Sequence, residues 1–150
     1  MKYLIWSGIF LLAVGLQGSF SLFDVNPNFT AILACYAGIR QGEVKGLLVG
    51  SLIGIIEDSI SGSLLGPHLL GKGLTGYIAA FLSGKFFGWT PMLGVLVIVT
   101  LTMADGLITF GARSIFGTTP TGIGAASFMV AMQSLFNAPF GIILKKKSES

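Results

Sequence analysis

The stretch Gly46-Leu-Leu-Val-Gly50-Ser-Leu-Ile-Gly54-Ile-Ile-Glu57-Asp58-Ser-Ile-Ser-Gly62-Ser-Leu-Leu-Gly66 decides how this chain is read. Its first glycines stand four apart, and two upstream residues extend the series to Gly38, Gly42, Gly46, Gly50 and Gly54. At least Gly46, Gly50 and Gly54 share one helix. Residues four apart lie on one helix face, so the missing side chains leave a flat ridge that a second helix can approach closely, as helices do in lipid. A second ridge, Gly76, Ala80, Gly84 and Gly88, follows on the next apolar segment. Either the two ridges pack on each other within the monomer, or one of them docks another protein.

The rest of the chain suits lipid better than water. Of 150 residues, 53% are hydrophobic and 10% charged, and 22 are glycine. A soluble domain carries about 25% charged residues, and a fold this small has too little interior to hide so much apolar surface. The net charge of +3 comes from nine basic and six acidic residues scattered between apolar blocks. They form no stripe of the kind nucleic acid needs, and anionic lipid near a cytoplasmic face explains them better. The single cysteine, Cys35, lies in an apolar run. That excludes an internal disulfide and a cysteine-built metal cage and makes it a small buried hydrophobe.

Outward from the glycine stretch, the apolar blocks predict an all-α integral membrane protein of about six transmembrane helices, forming one domain over residues 1–150. Span one is Tyr3–Phe23, about 31 Å long at 1.5 Å per residue. It follows Lys2 in the manner of a signal peptide, but no small-residue cleavage site follows it, so it is read as uncleaved. Asp24-Val25-Asn26-Pro27-Asn28 is a turn. Phe29–Ile39 and Gly46–Ile56, separated by a polar connector over 40–45, are short. They form spans two and three, the third running on through Glu57 and Asp58 toward Leu65, or else a re-entrant hairpin; two spans are favoured. Ser59–Pro67 is a turn region, His68–Gly88 span four, and Trp89-Thr90-Pro91 a tight connection with Trp89 at interfacial depth. Met92–Phe110 is span five, Gly111–Thr121 a loop holding Arg113, and Gly122–Leu144 span six, with a kink or break at Pro139. The side holding both termini then carries Lys2, Arg40, Lys45, Lys85 and Lys145-Lys146-Lys147, against Lys72 and Arg113 on the other, so both termini are expected to be cytoplasmic.

Ionisable residues at membrane depth cost about 2.5–3.5 kcal/mol each on insertion scales and need a reason. Asp58 and Asp105 each count to about 20 Å from the cytoplasmic end of their helices, and Lys72 falls at a similar level. A cluster of Asp58, Lys72 and Asp105 is therefore expected, with Glu57 and His68 as neighbours. It serves either as an ion pair closing the bundle or as a contact for a partner or ligand. Gln133 and Asn137, four apart on span six, read as packing amides.

Catalysis finds little support. His68 is the sole histidine, so a two-histidine metal site is impossible. Ser61 and Ser63 precede it by only a short turn, without the Gly-x-Ser-Gly of a rhomboid-like protease. Asp105 follows Thr102-Met103-Ala104 and not the Gly-x-Gly of an intramembrane aspartyl protease. There is no phosphate-cradling loop, and no cofactor or metal is expected.

The Gly46–Gly66 stretch resembles the core of the MreD family of rod shape-determining proteins: a glycine-rich helix ending in Asp58, then the turn glycines Gly62 and Gly66. A polar Asn26-Pro27-Asn28-Phe29 turn before a short second helix, the Gly76-Tyr77-Ile78-Ala79-Ala80 helix and the basic tail extend the likeness over most of the chain. One departure is Asn28, where that family usually has Asp after the proline. The resemblance implies a non-enzymatic inner-membrane scaffold of the bacterial cell-elongation machinery. It would bind MreC, work alongside MreB-like, RodA-like and class B penicillin-binding proteins, and help direct lateral peptidoglycan synthesis. Asp58, Gly62 and Gly66 match that pattern and are the implied contact, while the ridge residues Gly46, Gly50, Gly54, Gly76 and Gly84 are helix-packing or partner-binding candidates. It also implies the fold of the substrate-binding components of energy-coupling factor vitamin transporters. Those components are the alternative function, disfavoured because the first helix lacks their Ala-x-x-x-Ala ridge. A channel or permease would want a paired inverted repeat, which is not found.

Overall fold

The computed structural model describes residues 2–19, 25–62, 65–85, 90–116 and 122–143. These form seven helices and no strand: α1 (Lys2–Ser19), α2 (Phe29–Gln41), α3 (Glu43–Ile60), α4 (Pro67–Lys85), α5 (Pro91–Phe116), α6 (Ile123–Asn137) and α7 (Phe140–Ile143). The expected Trp89 anchor and terminal lysines lie outside the described residues.

α4 is the centre. It packs on α3 most extensively, then on α2 and α5, while α6 and α7 pack on α5 and α1 leans on α2. Cys35, Ile39, Ala79, Val97, Ile98 and Leu101 fill the middle between α2, α4 and α5. The outer surface is apolar instead of charged: Leu11 and Leu12 on α1, Leu48 and Leu52 on α3, and Ile115 on α5 are all more than half exposed. Large apolar surface turned outward on every side is what a bilayer solvates and water does not.

Two element bounds differ from the sequence reading. The connector expected over 40–45 shrinks to Gly42, which turns the chain from α2 into α3 at φ +92°, a backbone region that only glycine enters without strain. The five-glycine series is therefore folded in half. Gly38 on α2 and Gly46 on α3 meet across the turn, and both lie against the Gly76 carbonyl. α5 continues through Phe116, six residues past the expected end, so Arg113 is helical and not in a loop. The break expected at Pro139 is present between α6 and α7.

α5, 26 residues long, is the one described helix long and apolar enough by itself to cross a membrane; Gly8–Ser19 and Ile123–Asn137 are shorter apolar helices. α2, with 13 residues, rises only about 20 Å, short of the ~30 Å hydrocarbon thickness. Its N-terminus is also not at a surface. Pro27 and Asn28 are buried, so the end of the expected turn enters the bundle interior.

Candidate functional site

The glycine ridge of α3 lies on α4 in antiparallel register. A Cβ added at Gly46 would strike the Gly76 carbonyl, one at Gly50 the Lys72 carbonyl, and one at Gly54 the His68 carbonyl. Each step of four along α3 is answered by a step of four back along α4, so the two backbones touch. The α4 side of this crossing runs from Gly76 toward Lys72 and His68. Of the expected second ridge, Gly76 meets α3 here, and Gly88 lies outside the described residues. In this antiparallel register the residues of α4 that follow Gly76 lie past the start of α3 at Glu43. Gly62 and Gly66 sit in the α3–α4 loop at φ +59° and +140°, and nothing lies within 4 Å of a Cβ built on either.

Close approach of α3 and α4 places Lys72 at the hub of a buried polar junction, with none of its side chain exposed. Its Nζ lies 2.6 Å from Glu57 Oε2 and 3.4 Å from Asp105 Oδ2. Glu57 Oε1 accepts from Gln17 Nε2 at 2.6 Å, and Thr30 Oγ1 donates to Glu57 Oε2 at 3.1 Å. Asp105 Oδ2 accepts from Asn28 Nδ2 at 2.7 Å. The two carboxylates outnumber the one ammonium, and the N-terminus of α2 offsets part of the difference. Asn28 caps α2 by accepting from the Ala31 N–H, so the positive end of the helix lies beside both carboxylates. Asp105 Oδ1 has no hydrogen-bond donor and rests against Gly71, where a Cβ would collide with it.

Asp58 takes a different part from the one expected. It does not reach Lys72; its neighbour Glu57 does. Adjacent helix residues point about 100° apart, and the ridge that turns Gly54 onto α4 aims Asp58 at the start of α4. There its carboxylate accepts from the backbone N–H groups of Gly66 (2.9 Å), His68 (3.1 Å) and Leu69 (3.2 Å). Pro67, between them, has no N–H to satisfy. The orphan donors at the start of α4 are thereby met by one buried anion placed at the positive helix end.

His68 links this junction to α5. Arg113 Nη2 lies 2.9 Å from His68 Nε2. A guanidinium only donates, so Nε2 accepts and the ring proton belongs on Nδ1, a tautomer assigned from the partners. Nδ1 then faces Glu57 Oε2 at 3.8 Å. Lys72 Nζ also approaches Nδ1, at 3.5 Å, but a neutral ring has one acceptor, and the shorter Arg113 contact takes it.

A second layer fixes the chain entering α2. Asn137 Nδ2 donates to the Asn28 carbonyl at 2.9 Å and to Thr102 Oγ1 at 3.1 Å, and Gln133 Nε2 donates to the Asn26 carbonyl at 3.1 Å. Asn137 thus satisfies non-helical backbone held inside the bundle, which lipid could not do, while the Gln133 contact lies at the exposed edge. Gln17, Thr30 and Thr102 did not stand out in the sequence, and Asn28 and Arg113 did so only as a family departure and an outer charge. Gln17, the sole amide in the first apolar block, and Asn28, a cap-forming residue before a helix, carried the available signals. Among the described residues, no group of three or more His, Cys, Asp or Glu is placed to hold a metal ion.

The model of one family, described as rod shape-determining protein MreD, matches residues 1–146. No curated protein and no solved structure matches the chain.

Proposed function

Because this chain belongs to the MreD family of rod shape-determining membrane proteins, part of the MreBCD shape machinery, we propose that it is a non-enzymatic scaffold of bacterial cell elongation. It binds an MreC-like protein in the inner membrane and helps direct lateral peptidoglycan synthesis by cell-wall polymerases. The family match over nearly the whole chain carries this reading. The use of the buried ionisable groups supports it: Lys72, Glu57, Asp58 and Asp105 are committed to one another, to amides and to helix ends, an arrangement that stiffens a bundle.

In this reading the single transmembrane domain crosses the bilayer six times with both termini in the cytoplasm. α2 is completed as a span by the non-helical residues Val25–Asn28. Four such residues add at most about 13 Å to the ~20 Å of α2, and Gln133 and Asn137 satisfy their backbone. Lys72 is an internal counter-ion, so Arg113 is the basic residue left on the outer side, which strengthens the charge bias. The partner helix meets the apolar outer surface of the bundle, since the ridge glycines Gly46, Gly50, Gly54 and Gly76 are occupied by α3 and α4 themselves.

The test is recovery of the tagged full-length protein in mild detergent, with mass spectrometry of co-purified proteins and small molecules. An MreC-like partner is expected. Recovery of a paired ATPase with its membrane coupling subunit, or of a tightly bound vitamin, would overturn the scaffold in favour of transport.

A further inference from the structure

His68 is the sole histidine of the chain, and it stands where three helices meet. Glu57 and Asp58 face it from α3, Asp58 through the His68 N–H. Lys72 faces it from its own helix, and Arg113 from α5, with Asp105 behind Lys72. The groups reaching this junction from α1 and α2, Gln17 and Thr30, are uncharged. The Arg113 contact requires a bare Nε2. A ring carrying both protons has no acceptor to offer, and it would set a second cation 2.9 Å from the guanidinium. The same added charge would draw Nδ1–H toward Glu57, now 3.8 Å away.

We propose that His68 makes the contact between α4 and the end of α5 acid-labile: the neutral ring holds Arg113, and the protonated ring releases it and closes on Glu57. The moving part is short. Arg113 lies in the last turn of α5, with Ser114, Ile115 and Phe116 exposed beyond it, while Asp105, two turns earlier, stays fixed by Asn28 and Lys72. Of the side chains at this junction, histidine is the one that ordinarily changes charge nearest neutral pH.

One labelled protein tests this, because a single histidine gives a single pair of ring nitrogens. The full-length chain, 15N-labelled at histidine and held in lipid nanodiscs, is titrated by NMR, and backbone amide exchange over residues 110–116 is followed in parallel, corrected for the intrinsic effect of pH. We expect the Nδ1–H tautomer above the ring's transition and amide exchange about tenfold faster below it, as a local opening gives. His68→Gln keeps an acceptor for Arg113 but cannot charge, and its exchange should show no step. Arg113→Gln removes the repelling cation and should flatten the step while His68 still titrates. An Nε2–H tautomer at neutral pH, or equal exchange on both sides of the transition, would overturn the proposal, and both are read in the wild-type chain alone.

Discussion

Two junctions hold this bundle, and they meet at Lys72. Its carbonyl lies over Gly50 in the crossing of α3 on α4, while its Nζ lies between Glu57 and Asp105 in the polar junction. The crossing works by proximity: backbone rests on backbone, and its gain is dispersion over a close, flat contact. The junction works by completeness: each buried charge is tolerable because the others are present. The first kind of contact is therefore sensitive to adding an atom, the second to losing a partner.

The largest effect should come from breaking the junction at its hub. Lys72→Met leaves Glu57 and Asp105 without their counter-charge and should cost about 3–5 kcal/mol, measured by reversible unfolding in detergent micelles. Adding Glu57→Gln and Asp105→Asn to that variant should recover more than half of the loss, since a neutral set no longer carries uncompensated charge. A triple variant no better than Lys72→Met would mean that the junction is not one unit.

Gly50→Ala probes the crossing. The new methyl meets the Lys72 carbonyl, a backbone group that cannot step aside, so a loss of about 1–3 kcal/mol is expected in the same assay. Asn137→Ala should cost about 1–2 kcal/mol by leaving the Asn28 carbonyl unmet inside the bundle. Asp58→Asn should cost about 1 kcal/mol, the worth of a cap and its charge at a helix start, and should raise hydrogen exchange at Gly66, His68 and Leu69 first. The smallest effect is the control. Nothing lies within 4 Å of a Cβ at Gly15 on α1, so Gly15→Ala should be neutral or slightly stabilising, by up to about 1 kcal/mol. A loss at Gly15 equal to that at Gly50 would remove the distinction between a packed glycine and a lipid-facing one.

Much of this was legible in the chain. Glycine spacing of four marks a helix face whatever the fold, because the helix repeat fixes which residues share a side. Hydropathy marks the apolar blocks, and counting 1.5 Å per residue places Lys72 and Asp105 at the same depth. Depth is one coordinate, however, and direction around the helix is another. Glu57 and Asp58 are adjacent and nearly equal in depth, so counting could not tell which of them turns toward Lys72. Spacing likewise marked Gly76 as part of a ridge, but only the register of α4 on α3 shows that Gly76 meets Gly46. Asn28 read as a departure from a family pattern, and its amide proves to be the donor that Asp105 requires. An aspartate there would bring a third carboxylate to the junction.

By itself, then, the sequence determined the helical membrane class, the face along which α3 is held and the residues that had to be buried with a charge. Those follow from local periodicity and from the cost of polarity in lipid. Only the tertiary structure decided which charge meets which, that the non-helical start of α2 lies inside the bundle, and that His68 joins α5 to the rest. Those depend on register and rotation between helices, which are set by contacts among residues distant in the chain.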